Sequence, residues 1–165
     1  MKKFFRLIIL CLLLFSFLIP YTAFAETEAE WQDIELTEEE FDSLLENNPN
    51  NGISTHASGL ITLYSIAVSQ SGSNLVVGGR TNCITDVKKC GFTKVTIQVR
   101  FNSTAPWSTY KEYTDLYADR SSYILSKTIA APTGQYRVTC THYAKKSLLS
   151  TEKINNTSNT VTIKL

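Results

Sequence analysis

The clearest pattern along this chain is alternation. Over Lys94–Asn102, the apolar residues Val95, Ile97, Val99 and Phe101 alternate with Thr96, Gln98 and Arg100. That is the period of a strand with one buried face. Gly134 opens a second such run. Tyr136, Val138, Cys140 and His142 fall on one face, and Gln135, Arg137, Thr139 and Thr141 on the other. At the C-terminus Thr160–Leu165 turns Val161, Ile163 and Leu165 inward. Leu60–Ser69 is mostly apolar and β-branched, and Trp107–Tyr113 and Ser122–Ile129 have strand composition. Leu75–Val77 leads through Gly78-Gly79, read as a bulge, into Arg80–Ile84. Ser71-Gly72-Ser73-Asn74 and Lys89-Cys90-Gly91 read as turns. About seven short strands thus fill residues 58–165, without a strong helix among them. Strands and turns at this spacing predict an antiparallel β-sandwich or barrel.

Two N-terminal segments have a different period. Lys2, Lys3 and Arg6 precede an apolar run, Leu7 to Ile19, that ends at Pro20 and Ala23-Phe24-Ala25. A basic head, an apolar middle and a small-x-small end are the parts of a secretory signal, here residues 1–25. The run is shorter than a membrane span requires. Removing 25 of 165 residues leaves 140, the size of one domain, and the expected address is extracellular. Further on, Thr37 and Glu40 stand as the two ends of a capping box. Phe41, Leu44 and Leu45 follow on one face of a short helix, which Asn47–Gly52 ends. A helix of about ten residues is marginal unless it packs against a surface.

Charge changes this picture. Residues 26–57 carry ten acids and no Lys or Arg, whereas residues 58–165 carry thirteen Lys or Arg and five acids. The near-neutral total therefore conceals segment charges of −10 and +8. Residues 26–57 read as an acidic leader and linker. One account makes this leader merely solvated. The other makes it a detachable segment that covers a cationic surface of its own domain, by attraction that salt screens.

Gly134-Gln-Tyr136-Arg-Val-Thr-Cys140 followed by Ser158-Asn-Thr-Val-Thr-Ile163 resembles the last two strands of an immunoglobulin-like domain. That resemblance implies a sandwich with Cys83 and Cys140 at the two inter-sheet disulfide positions. Trp107 lies 24 residues after Cys83, and Tyr136 four before Cys140, so the antibody-type core Trp and corner Tyr are displaced. Val87-Lys-Lys-Cys-Gly-Phe92 and Tyr136-Arg-Val-Thr-Cys140 are also similar to segments of small secreted proteins of Gram-positive bacteria without assigned activity. Three cysteines follow the signal, so one is left over in any single pairing. Cys83–Cys140 is the expected bridge. A Cys83–Cys90 bridge would close only a small local loop, and all three can stay reduced.

The residues point to no catalytic, metal or cofactor signature. Cys90 and His142 form the one nucleophile–base pair to test, yet Cys90 sits in a predicted turn and His142 on an inward strand face. The candidate binding surface is the aromatic and cationic stretch Trp107, Tyr110, Lys111, Tyr113, Arg120 and Lys127, where rings beside cations suit stacking and anionic polymers. No nucleic-acid recognition motif and no second apolar span accompany it. The expected function is a secreted, non-enzymatic binding module whose cationic face meets an anionic partner, either a cell-envelope polymer or an acidic protein surface. A secreted antimicrobial or toxin-like protein masked by its acidic pro-segment is the alternative.

Overall fold

The computed structural model describes residues 30–46, 54–55 and 58–164. The expected signal segment 1–25, with Cys11, the Asn47–Gly52 linker, His56 and Leu165 lie outside the described residues.

The alternating runs form two antiparallel sheets. The first has the order β1-β7-β4-β3-β2, from β1 (Gln32–Asp33), β7 (Ser122–Ala130), β4 (Asn74–Cys83), β3 (Ile61–Ser71) and β2 (Ser54–Thr55). The second has β5 (Lys89–Arg100) between β6 (Ser108–Ala118) and β8 (Gly134–Lys145). β9 (Thr151–Thr157) and β10 (Val161–Ile163) pair in succession with β8. Since β5 holds the other edge of β8, the two share one edge, interrupted at residues 158–160. Inward residues of both sheets meet in one core, with Ile66, Val68, Leu75, Val77, Leu125 and Ile129 facing Phe92, Val95, Ile97, Tyr136, Val138 and Ile163.

The fold is an immunoglobulin-like β-sandwich. The sets β3-β4-β7 and β9/β10-β8-β5 take the places of strands A-B-E and G-F-C, with β6 added beside C. Tyr136, at the start of β8, donates its hydroxyl to the Pro132 carbonyl at 2.8 Å. This is the bond of a tyrosine corner, made four residues before Cys140.

Several expectations change. β4 runs through Gly78-Gly79 with no register shift. Gly78 lies beneath Leu44, where a Cβ would stand 2.4 Å from Leu44 Cδ2 and the leucine side chain would have to shift. Lys89-Cys90-Gly91 is not a turn but the start of β5. The glycine is explained by a φ of +147° and by the Leu116 carbonyl, 2.4 Å from where a Cβ would lie. β5 ends at Arg100, leaving Phe101 80% exposed beyond the core. β9 was not anticipated, because Thr151–Thr157 has a single large apolar residue, Ile154.

The described part of the acidic segment is built into the sandwich. Thr37 Oγ1 accepts the Glu40 N–H, and the Glu40 carboxylate accepts the Thr37 N–H at 2.9 Å, closing the expected capping box. That box starts α1 (Glu38–Glu46), whose Phe41, Leu44 and Leu45 are buried against Ala67 and Val76 on the outer face of the first sheet. β1 extends the same sheet beside β7. Trp31 packs edge-on against Tyr113 of β6, so it closes the gap between the sheets. Replacing Thr37 with Ala is expected to lower stability by about 1 kcal/mol in chemical denaturation. A change below roughly 0.3 kcal/mol would show that the box does not hold α1 in place.

Candidate functional site

The two sheets differ in what covers them. α1 lies on the outer face of the first. The outer face of the second bears the polar halves of the alternating strands, placed side by side by their register. Arg100 opposes Gln135, Gln98 opposes Arg137, Thr96 opposes Thr139 and Lys94 opposes Thr141. Across β8, Thr139 meets Thr157, Thr141 meets Asn155 and Tyr143 meets Lys153.

Three zones follow along this face. At one end Trp107 lies over two guanidiniums, with Arg100 Cζ and Arg137 Cζ each 4.4 Å from the ring centroid. Arg100 donates Nε–H to Gln135 Oε1, and Arg137 donates Nε–H to Gln98 Oε1, each at 2.8 Å. Arg100 also donates Nη1–H to the Ser103 carbonyl at 2.9 Å. These bonds fix the planes of both guanidiniums. Partial burial, and secondarily the charge of Arg100, lower the pKa of Arg137 from its ordinary value. An arginine nonetheless stays charged in a protein.

In the middle a shallow cavity of about 270 Å³ is lined by hydroxyls and amides, including Thr96, Thr139, Thr141, Asn155 and Thr157, with Lys94 at its side. Lys94 Nζ pairs with the Glu112 carboxylate at 2.7 Å. Its hydrogen bond holds that carboxyl below the usual range. At the far end Tyr117 and Tyr143 are in tilted ring contact, with centroids 5.3 Å apart. Lys89 lies over Tyr117 and Lys153 over Tyr143. From Gln135 to Lys145 the face runs roughly 33 Å along β8, at about 3.3 Å per residue. Its cations are Lys89, Lys94, Arg100, Arg137, Lys145 and Lys153, and the acids beside them are Glu112 and Asp119.

The candidates named from sequence are dispersed. Trp107 alone joins the two-arginine cluster. Tyr110 donates its hydroxyl to the Ala130 carbonyl and packs edge-on against Tyr136, at the rim of the core. Tyr113 packs against Trp31. Lys111 is half-buried opposite Ile97, beside a register shift between β5 and β6. Arg120 is exposed in the β6–β7 turn. Lys127 is largely buried and ion-paired with Asp33. A linear stretch of β6 and β7 cannot be one surface, because the two strands belong to different sheets. Arg100 and Arg137 were not singled out, although the alternation already placed both on polar faces.

The cysteines also differ from expectation. Cys83 Sγ lies 2.9 Å from Cys90 Sγ, and the three cysteines among the described residues are free thiols. Cys90 pairs with Ala144 in the ladder, four residues from Cys140 on β8 and therefore about 13 Å away. Cys83 Sγ therefore meets Cys90 and not Cys140, and the expected Cys83–Cys140 bridge is not formed. Cys140 instead faces His142 Nε2 at 3.4 Å, while His142 Nδ1 meets Thr81 Oγ1 at 2.7 Å. Cys90 and His142 are both 0% exposed, and Cys90 donates its S–H to the Thr81 carbonyl.

The described part of the acidic segment does not cover the cationic face. It lies on the opposite sheet, where Asp42 pairs with Arg80 and Asp33 with Lys127. A cavity of about 470 Å³ beside α1 has Glu39 and Glu40 in its wall, the wrong sign for an anion. Among the described residues no helix is long and apolar enough to cross a membrane. No protein-family model matches the chain, and no curated protein matches it.

Proposed function

We propose that this protein is an exported, non-enzymatic binding module, akin to the small secreted proteins of Gram-positive bacteria that it resembles. Its outer β9-β8-β5-β6 face takes an anionic polymer of the cell-envelope type. One observation carries this reading: a long sheet face, which no other described element covers, bears six cations, two of them held under Trp107. Flat cationic faces attract polyanions over nanometre distances and hold them by many weak contacts. The guanidiniums offer paired N–H donors to phosphate or carboxylate oxygens, and the Thr and Asn rows offer hydroxyls and amides to a polyol backbone. The position of the described part of the acidic segment, against the opposite sheet, favours this reading over a masked toxin.

Retention of the full chain on immobilised poly(glycerol phosphate) across a salt series tests the proposal. Replacing both Arg100 and Arg137 with Gln is expected to weaken binding about 30-fold, at about 1 kcal/mol for each cation near an anionic surface. Arg120→Gln, off this face, is expected to leave binding within about twofold. Retention that ignores both salt and the double substitution would sink the proposal.

A further inference from the structure

We infer that Cys83 and Cys90 form a disulfide that cross-links the two sheets of the sandwich, leaving Cys140 as the remaining thiol. Cys83 ends β4 of the first sheet and Cys90 begins β5 of the second, so the bond would join the sheets across the short 84–88 connection. The thiols already meet. Cys83 donates its S–H to Cys90 Sγ at 2.9 Å, and Cys90 donates to the Thr81 carbonyl at 3.1 Å. Both backbones are held in ladders. Cys83 pairs with Ile61 and takes the Ser121 carbonyl on its N–H, while Cys90 lies between Ala118 and Ala144. Ile61, Val87 and Ala144 pack around the pair as a separate small cluster at this end of the sandwich. Closing the bond requires an approach of less than 1 Å, to the usual sulfur–sulfur length of about 2 Å.

The two thiols have different access. Cys83 is partly exposed and Cys90 is 0% exposed. An external disulfide therefore reaches Cys83 first. The shared hydrogen bond raises the pKa of Cys83 and lowers that of Cys90, and the nearby Glu152 carboxylate raises Cys83 further. In the first step Cys83 releases its proton to solvent and its sulfur attacks one sulfur of a small-molecule disulfide, so that a mixed disulfide forms at Cys83 and one thiolate leaves. Cys90 then releases its own proton and attacks Cys83 Sγ, the mixed disulfide breaks and a second thiolate leaves, and the two departing thiolates take up the two protons released. Two protein thiols are oxidised by two electrons, and one external disulfide becomes two thiols.

The test is incubation of the chain from Glu26 onward, which lacks Cys11, with oxidised glutathione, followed by thiol counting, intact mass and peptide mapping. One thiol in place of three is expected, with a mass about two units lower and a Cys83–Cys90 linked peptide. Cys83→Ser, at the partly exposed position, is expected to show two thiols and no mass loss after the same treatment. Cys140→Ser is expected still to lose two thiols. The melting temperature of the oxidised chain is expected to rise by several degrees, and reductant to reverse that rise. Three reactive thiols after treatment, a linked peptide containing Cys140, or only mixed disulfides with glutathione would overturn the inference.

Discussion

Between pH 7 and pH 4 the folded protein is expected to lose about 3 kcal/mol of stability through one side chain, His142. The ring is fully buried, between Phe92 at 4.7 Å and Tyr64 at 5.3 Å between centroids. Burial lowers its pKa from 6.5 to about 3. Its hydrogen bonds suit a single neutral form. Thr81 donates its hydroxyl to the Gly91 carbonyl, so His142 Nδ1–H donates to Thr81, and Cys140 S–H donates to Nε2. A proton on Nε2 would remove that acceptor and bury an unpaired charge.

The sign follows from proton counting. Between about pH 3 and pH 6.5 the unfolded chain holds a proton on this ring and the folded chain does not. Stability is therefore complete above pH 7 and falls as pH falls through that window. At 1.36 kcal/mol per pH unit, the interval from pH 7 to pH 4 yields about 3 kcal/mol. Glu40 and Glu112, whose pKa values are lowered by Thr37 and by Lys94, add loss in the same direction at lower pH. Urea denaturation at stepped pH measures the slope. His142→Gln is expected to flatten it between pH 6.5 and 4 while lowering stability at pH 7. An unchanged acid slope in that variant would assign the loss to the carboxylates.

Truncating Leu45 to Ala is expected to cost about 3 kcal/mol, within the usual range for a buried leucine. The side chain is 1% exposed, on a helix that a solvated leader would leave in water. Phe41 and Leu44 share the same contact, and Arg80 adds a cation over the Phe41 ring at 4.7 Å. A companion substitution tests the docking from the other side. At Gly78 a Cβ would already stand 2.4 Å from Leu44 Cδ2, so Gly78→Val is expected to force α1 off the sheet. Limited proteolysis would then cut within residues 30–57, while the sandwich stays resistant. If Leu45→Ala shifted stability by less than 0.5 kcal/mol, as a surface change does, α1 would contribute nothing to the fold.

The period-two runs determined the all-β class and the strands carrying His142 and Arg137, because alternation depends only on local geometry and one buried face. The capping box and the Phe41, Leu44, Leu45 spacing likewise determined a helix. A further signal was present and unread. Ser65–Val68 and Leu75–Gly79 lack alternation, the pattern of strands covered on both faces. What covers them is a matter of tertiary structure. Only packing placed α1 there, since a helix this short gains its stability from the surface it meets. Only strand pairing set Arg100 beside Arg137 beneath Trp107, residues up to 37 positions apart, and put Cys83 against Cys90 rather than Cys140. Residues brought together by register between distant strands leave no mark in a single chain's spacing. The charge division was legible in composition, but only the sandwich placed the described acidic residues against the first sheet, away from the outer face of the second.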